Sequence, residues 1–415
     1  MLLVAAVLLT FIEPSHTLAQ PIQAKSNSVA SFEPDFEPNL PIISLETTGK
    51  LDPEVKIPLV LSLMLPGEAQ PSKTWSGAIR IHGASSVGYP KQSFSVSFSN
   101  SIQLLELRES AHWVLNAAFI DRSLMRHKLA YDLFRSLDTP EARRPAVASR
   151  FIEVVWNGGY HGLYLLMERI DPPLLGLRPF DLKDSSPTVI YKAISHGANF
   201  RQLNHNAYEL REPDPSVKEL WAPLDELTRF VSVSSDREFL DPQNGIAARV
   251  DLGNAIDFHL LVLLSDNLDG IDKNFILARD AARPGSETPR FFFAPWDYDG
   301  TFGRNWDASR VSPSGWLSNN LFDRLLRDAA YQGRFARRWK ELRTREFAAR
   351  TIQSMIDANV RAMGSAAVRN AQRWQSAAGR YPDRLTLEED AAQMKTWIEQ
   401  RLSWLDNEIE RRTRP

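Results

Sequence analysis

Between Leu40 and Phe98 the apolar residues fall in short runs, 41–46, 57–64, 77–82 and 93–98, several of them alternating with polar residues at a period of two. Glycine and proline separate the runs, so this stretch reads as β-rich. The period then changes to four. Met125, Leu129, Leu133 and Leu137 share one helical face, with Asp121 or Ser123 as the expected N-cap and the sheet as the expected packing partner. Runs 151–156 and 160–167 flank Asn157-Gly158, whose readiness for positive φ predicts a two-residue hairpin.

After Glu168-Arg169-Ile170-Asp171 and two prolines the pattern is mixed as far as 251 and predicts only a strand at 188–192. Residues 251–265 are apolar nearly all round behind Asp251, which predicts a central buried helix with an aspartate cap. A polar loop at 266–273 leads into a strand at 274–278, a turn at Arg283-Pro284-Gly285 and a second strand at 290–294 that stops at Pro295-Trp296-Asp297. From about Leu321 the pattern is helical, broken at Gly364 and Gly379, and there is no internal repeat. The expected class is α+β, with a β-rich part at 40–168 and a mainly helical part at 169–415.

The chain carries 49 basic and 51 acidic residues without long single-sign blocks, which leaves no electrostatic footprint for nucleic acid or an anionic membrane. The absence of cysteine excludes disulfides, thiolate nucleophiles and cysteine-based zinc sites. Residues 2–12 form an apolar run too short for a membrane span of about 20 residues and suited to a signal-peptide core. Thr17-Leu18-Ala19 offers small residues where a signal peptidase cuts, before Gln20. The expectations are a signal peptide at 1–19, a flexible leader at 20–39, export to the periplasm, cell surface or medium, and no membrane span after cleavage.

Candidate chemistry gathers around the second hairpin. Asp269 and Asn274 stand five positions apart in the loop before it, and Asp297-Tyr298-Asp299-Gly300-Thr301-Phe302-Gly303 follows it. Phosphoryl transfer needs an aspartate to orient the attacking hydroxyl, an amide or carboxylate on a divalent cation, and a further aspartate bridging metal to phosphates, and protein kinases space these groups in this way. Paired carboxylates beside a loop with three more aspartates repel one another unless a cation, Mg²⁺ or Mn²⁺, lies between them. Taken one at a time, the same residues are ordinary caps and turn formers. A second unit, Arg80 to Lys91, places Ser85 and Ser86 in a small-residue loop whose N–H groups suit phosphate oxygens, with Lys91 as a point charge or simply a solvated lysine. Glu168 either lines a nucleotide pocket or belongs to a solvated charge cluster.

These residues resemble the CotH kinase family, named for spore coat protein H. The likeness runs from Leu40-Pro41-Ile42-Ile43 through Arg80-Ile81-His82-Gly83-Ala84-Ser85-Ser86 with Pro90-Lys91, Asp121 with Leu124 and Arg126, and Asn157 to Tyr164 with Glu168, to Asn267-x-Asp269 with Asn274 and Pro295 to Gly303. It implies an atypical protein-kinase-like, two-lobed fold, ATP and Mg²⁺ or Mn²⁺ as cofactors, and phosphorylation of Ser or Thr hydroxyls on a protein acceptor. By position Asp269 resembles the catalytic aspartate, Asn274, Asp297 and Asp299 the metal ligands, and Lys91 and Glu168 the nucleotide side, to which the loop chemistry adds Ser85 and Ser86 as cofactor-binding residues. His82 stands where the family often has arginine. Two other readings stay open: an envelope interaction protein that keeps the fold without turnover, and a phosphatase or metal-dependent sugar-nucleotide transferase built on Asp297-x-Asp299.

Overall fold

The computed structural model describes residues 38–139, 142–282, 289–380 and 385–414. The expected signal peptide, nearly all of the leader and the turn at 283–285 lie outside the described residues. Five strands open the fold: β1 (Ile42–Thr47), β2 (Ile57–Met64), β3 (Lys73–His82), β4 (Ser93–Ile102) and β5 (Ser110–Asn116). Next come α1 (Arg126–Arg135) and the hairpin β6 (Ser149–Trp156) and β7 (Gly159–Glu168). Asn157 and Gly158 take φ of 46° and 84°, as the two-residue turn requires.

The seven strands close into a barrel in the order β1-β2-β3-β4-β5-β7-β6, sealed by parallel pairing of β1 with β6. Period-two alternation explains its core: Ile43, Leu45, Leu59, Leu61, Ile79, Phe94, Val96, Trp113, Ile152 and Val154 all point inward. On the outer face Phe151, Leu163, Leu165 and Met167 join a larger core that includes α1. Met125, Leu129, Leu133 and Leu137 are buried there as the spacing predicts. The expected cap is different. Met125 is the N-cap and makes no side-chain cap bond. Asp121 accepts from the Arg126 N–H at 2.8 Å while also binding the Arg126 guanidinium, so it serves that cation from the turn before the helix.

The middle of the chain folds as α2 (Pro172–Leu175), β8 (Val189–Ala193), β9 (Tyr208–Glu212), α3 (Ala222–Val233), α4 (Asp236–Phe239), α5 (Leu252–Ser265), β10 (Phe275–Arg279) and β11 (Phe292–Pro295). Four of these strands form a second, antiparallel sheet ordered β11-β10-β8-β9. Asp251 caps α5 by accepting from Gly253 and Asn254, and every residue from Asn254 to Ser265 is buried. The chain continues with α6 (Asn320–Leu325), α7 (Ala329–Thr344), α8 (Ala349–Arg373) and α9 (Leu387–Thr413). Gly364 breaks α8 with φ 46°, and Gly379 lies in a 3-10 turn after it. α8 is pinned to the barrel by Arg369 on the buried Glu153 at 2.6 Å and by Asn370, which accepts from the Leu163 N–H at 3.1 Å.

Candidate active site

The loop 297–303 is held from three sides. β10 pairs with β11 so that Phe275 opposes Pro295, and the Trp296 N–H reaches the Asn274 carbonyl at 3.3 Å. This delivers Asp297 in a left-handed conformation, φ 58°, with its N–H donating to the Tyr131 hydroxyl at 3.0 Å. Further along, the Phe302 N–H bonds to Ser265 at the end of α5 at 2.8 Å, and Arg126 Nε donates to the Thr301 carbonyl at 2.9 Å. Arg126 is buried between Asp121 and Asp390 of α9, the latter at 2.8 Å, and Arg304 also binds Asp390 at 3.1 Å. Gly303 has φ 94° and lies against Trp397, where a Cβ would come within 2.9 Å of the indole.

At the head of this loop two carboxylates titrate in opposite directions. Burial works against the charge on Asp297, but the hydrogen bond from His127 Nε2 at 3.3 Å, together with Lys192 and His82, holds its carboxyl below the usual range. Asp299 is pushed up to about 7 by burial and then by the negative charge of Asp297. Burial opposes protonation of His127, yet the bond to Asp297 and the charges of Asp299, Asp297 and Asp121 leave it raised. Asp297 keeps 45 % of its side-chain surface open. Tyr89 is raised by burial and by Asp299 and Asp297, which brings the loop after β3 to this place. His82 is lowered to about 4 by burial, Lys192, Arg80 and Arg211.

Asp297 is thus bonded to His127, and the carboxylate pair acts electrostatically on Tyr89, His82 and Lys192. Asp269 stands apart, 2.9 Å from Lys273 and 3.5 Å from His196. Asn274, with φ 57°, is joined to the carboxylate loop through its backbone, and among the described residues neither its side chain nor that of Asp269 bonds to Asp297 or Asp299. The Asn267 amide bridges the two loops, donating to the Asp297 carbonyl at 3.4 Å. Asp266 has its own cation, Arg401 at 3.1 Å. The charge crowding read across all five aspartates therefore narrows to Asp297 and Asp299.

Ser85 opens a short 3-10 turn, 85–88, and the Ser86 carbonyl accepts from the Tyr89 N–H at 3.1 Å. Lys91 is 2 % exposed, its ammonium given to the Ala117 and Leu163 carbonyls over the Tyr164 ring, and burial lowers it to about 7. Glu168 accepts from the Arg108 and Ala148 N–H groups at 3.1 and 3.0 Å. His127, Lys192 and Asp390 were not singled out by sequence. The available signal was His127 and Tyr131, one turn apart on an otherwise apolar helix face.

A family model described as CotH kinase protein matches residues 79–405. The chain belongs to the CotH kinase family. It is also similar to inner spore coat protein H of Bacillus subtilis (strain 168), at 27 % identity over 231 residues, which are 54 % of this chain and 58 % of that protein. The match therefore spans little more than half of that relative's length. In this CotH family member the matched unit starts within β3 and ends in α9, so it includes both the carboxylate loop and the Asp390 clamp beneath it.

The residues present fit a hard divalent cation. Asp297 and Asp299 are oxygen donors that do not both ionise freely without one, and Mg²⁺ is commonly held by one or two carboxylates with phosphate and water completing its shell. Among the described residues no group of three or more His, Asp or Glu is disposed around a metal position, so further ligands would come from phosphate or water.

Proposed function

We propose that this CotH family member is a kinase transferring the γ-phosphoryl group of ATP to Ser or Thr hydroxyls of a protein acceptor, with Mg²⁺ or Mn²⁺ as cofactor. The observation that carries it is the Asp297 and Asp299 pair, in which the charge of Asp297 adds to the burial that raises Asp299, with the Asp297 side chain 45 % exposed and Tyr89 of the loop after β3 under the influence of both. In this reading the fold is two-lobed and kinase-like, with lobes at 40–168 and 169–415 and the nucleotide between them.

Asp297 and Asp299 would hold the cation, with Asn274 as the neighbouring ligand; bound there, it screens phosphate charge and polarises the γ-phosphoryl group. Asp269 orients the acceptor hydroxyl and takes its proton, with Lys273 and His196 fixing the carboxylate. Backbone N–H groups around Ser85 and Ser86 lie over the phosphates. Lys91 and Glu168, whose polar atoms are already bonded to backbone, act on the nucleotide side through the barrel, Lys91 tying the chain just before β4 to β7 and Glu168 tying the end of β7 to the segments before β5 and β6.

The acceptor is placed outside the cytoplasm, in keeping with the apolar run at 2–12 and with a relative named for a spore coat. No helix of the described residues is long and apolar enough to cross a membrane. The phosphatase reading is disfavoured because the strand ahead of Asp297 lies in an antiparallel hairpin rather than a parallel sheet. The test is calorimetric titration with ATP, with and without Mg²⁺ or Mn²⁺, followed by transfer of labelled phosphate to protein. Metal-dependent binding with transfer supports the kinase; metal-dependent binding without transfer to any acceptor favours a fold kept without turnover.

A further inference from the structure

One wall of the barrel carries cations that the fold does not neutralise. Ile57 opposes Ile79 in the β2–β3 ladder, so Lys56 and Arg80 stand opposite each other one step along. Ile79 points into the barrel core, which puts Arg80 and Lys56 on the outer face. On the other side of the same wall Trp113 opposes Glu168, so His112 and Arg169 are neighbours, and Trp113 in the core turns His112 outward. The second sheet answers with Lys192 on β8 and Arg211 on β9.

These groups act on one another across the cleft. Lys56 is lowered by burial and then by Arg169 and Arg80, and Arg211, opposed by Glu209, feels the same two arginines. Among the described residues Lys56, Arg80, Arg169 and Lys192 have no carboxylate partner, and Arg211 alone is paired, with Glu209 at 2.9 Å. The nearest acids have partners of their own: Asp171 with Arg108 at 3.0 Å, Glu168 with backbone N–H groups and Arg108, and Asp214, which Arg169 also reaches as the last of its influences, with Ser216 at 2.6 Å. Like charges directly opposite in a sheet are destabilising. A fold that stacks them along one wall and leaves them unmatched suits an anion supplied from outside.

That anion is not only the nucleotide. Asp297 acts on His82 and Lys192 at the inner end of the wall, where Arg80 and Arg211 also reach His82, whereas Lys56, at the outer end, feels Arg169 and Arg80 and not the carboxylate loop. We propose that the outer wall, Lys56, Arg80, Arg169 and Arg211, docks the acceptor, and that the acceptor is a protein segment whose Ser or Thr is flanked by acidic residues. The inference rests on the kinase reading for its acceptor role, while anion docking stands on the wall itself.

Fluorescence anisotropy with the full chain tests it, using two labelled peptides, one with a serine among glutamates and one with a serine among lysines. The acidic peptide should bind at least ~10-fold tighter and weaken as ionic strength rises from about 0.01 to about 0.15 M. Reversal of two outer cations, Lys56→Glu with Arg169→Glu, should lower its affinity ~10-fold or more, and neutralisation, Lys56→Gln with Arg169→Gln, by a smaller factor, with ATP affinity in Mn²⁺ changed less than ~2-fold. Equal binding of the two peptides, or acidic-peptide binding unchanged in the charge-reversed chain, overturns the proposal. A parallel loss of ATP affinity in the neutralised chain also overturns it, giving the wall to the nucleotide. Acidic-peptide binding by a wild-type chain that takes up no ATP would sink the kinase function and leave the docking wall standing.

Discussion

The loop before the β10–β11 hairpin carries Asp266, Asp269 and Asp272, and the loop after it Asp297 and Asp299. In the first, Asp266 is matched by Arg401, Asp269 by Lys273 and His196, and Asp272 lies near His196 and Arg201. In the second, among the described residues Asp297 has only His127 as a hydrogen-bonded cation, and Asp299 holds a proton up to about pH 7 because of burial and its neighbour. In the first loop each carboxylate has a cation nearby, although burial still raises Asp266 to about 6 and also raises Asp272, whereas in the second the charge of Asp297 itself adds to the burial that raises Asp299. On the proposed kinase reading, the second loop is the one suited to a cation, and Asp269, beside Lys273 and His196, the one suited to a neutral hydroxyl.

The widest effect should come from the first loop. Asp269→Asn should cut phosphoryl transfer by ~10²- to 10⁴-fold in steady-state assays with nucleotide affinity nearly kept. Loss of ATP binding instead would give Asp269 a part in holding the nucleotide and erase the contrast. Arg126→Met strands Asp121 in the interior and leaves Asp390 to Arg304 alone, and should cost about 3–5 kcal/mol in denaturant unfolding. A cost below about 1 kcal/mol would mean that the second loop draws its rigidity from elsewhere. Asp297→Ala should lower Mn²⁺-dependent ATP affinity ~10²-fold by calorimetry, and an unchanged affinity would move the cation away from this loop.

The pH response sharpens the same point. Asp299 rises from 3.8 to about 7 on folding, so the folded chain keeps a proton that the unfolded chain has released. Metal-free stability from this group is full below about pH 4 and is lost as pH climbs through about 7. A cation must displace that proton, so the rise in Tm on adding Mn²⁺ should be a few degrees larger at about pH 8 than at about pH 6. An equal rise at both would show that Asp299 takes no part. Smallest of all, Lys273→Met should cost under about 1 kcal/mol and leave Mn²⁺ affinity unchanged, since its pair with Asp269 is partly exposed.

Local features were legible in the sequence: the Asn157-Gly158 turn, the α5 cap and the hairpin at β10–β11 each depend on neighbouring residues. Barrel closure was not, because β1 meets β6 in a pairing of Ile42 with Glu153 that no local pattern encodes. β5 escaped because it opens with Ser110-Ala111-His112 and turns only Trp113 and Leu115 into the barrel. Within the site, Asp297-x-Asp299 could be read from spacing alone. The support beneath it could not, since Arg126 and Asp390 are 264 positions apart. Lys91 shows the opposite case, a residue conspicuous in its motif whose ammonium faces backbone carbonyls.

That separation also governs when the site comes into being. During synthesis the barrel strands and α1 leave the ribosome long before Asp390, and domains generally fold from the N-terminal side first. Until α9 arrives, Arg126 and Arg304 have no shared carboxylate, and the backbone around Thr301 lacks its anchor. Long-range closures of this kind set late. A nascent chain therefore carries the carboxylate motif well before the loop that bears it has its support.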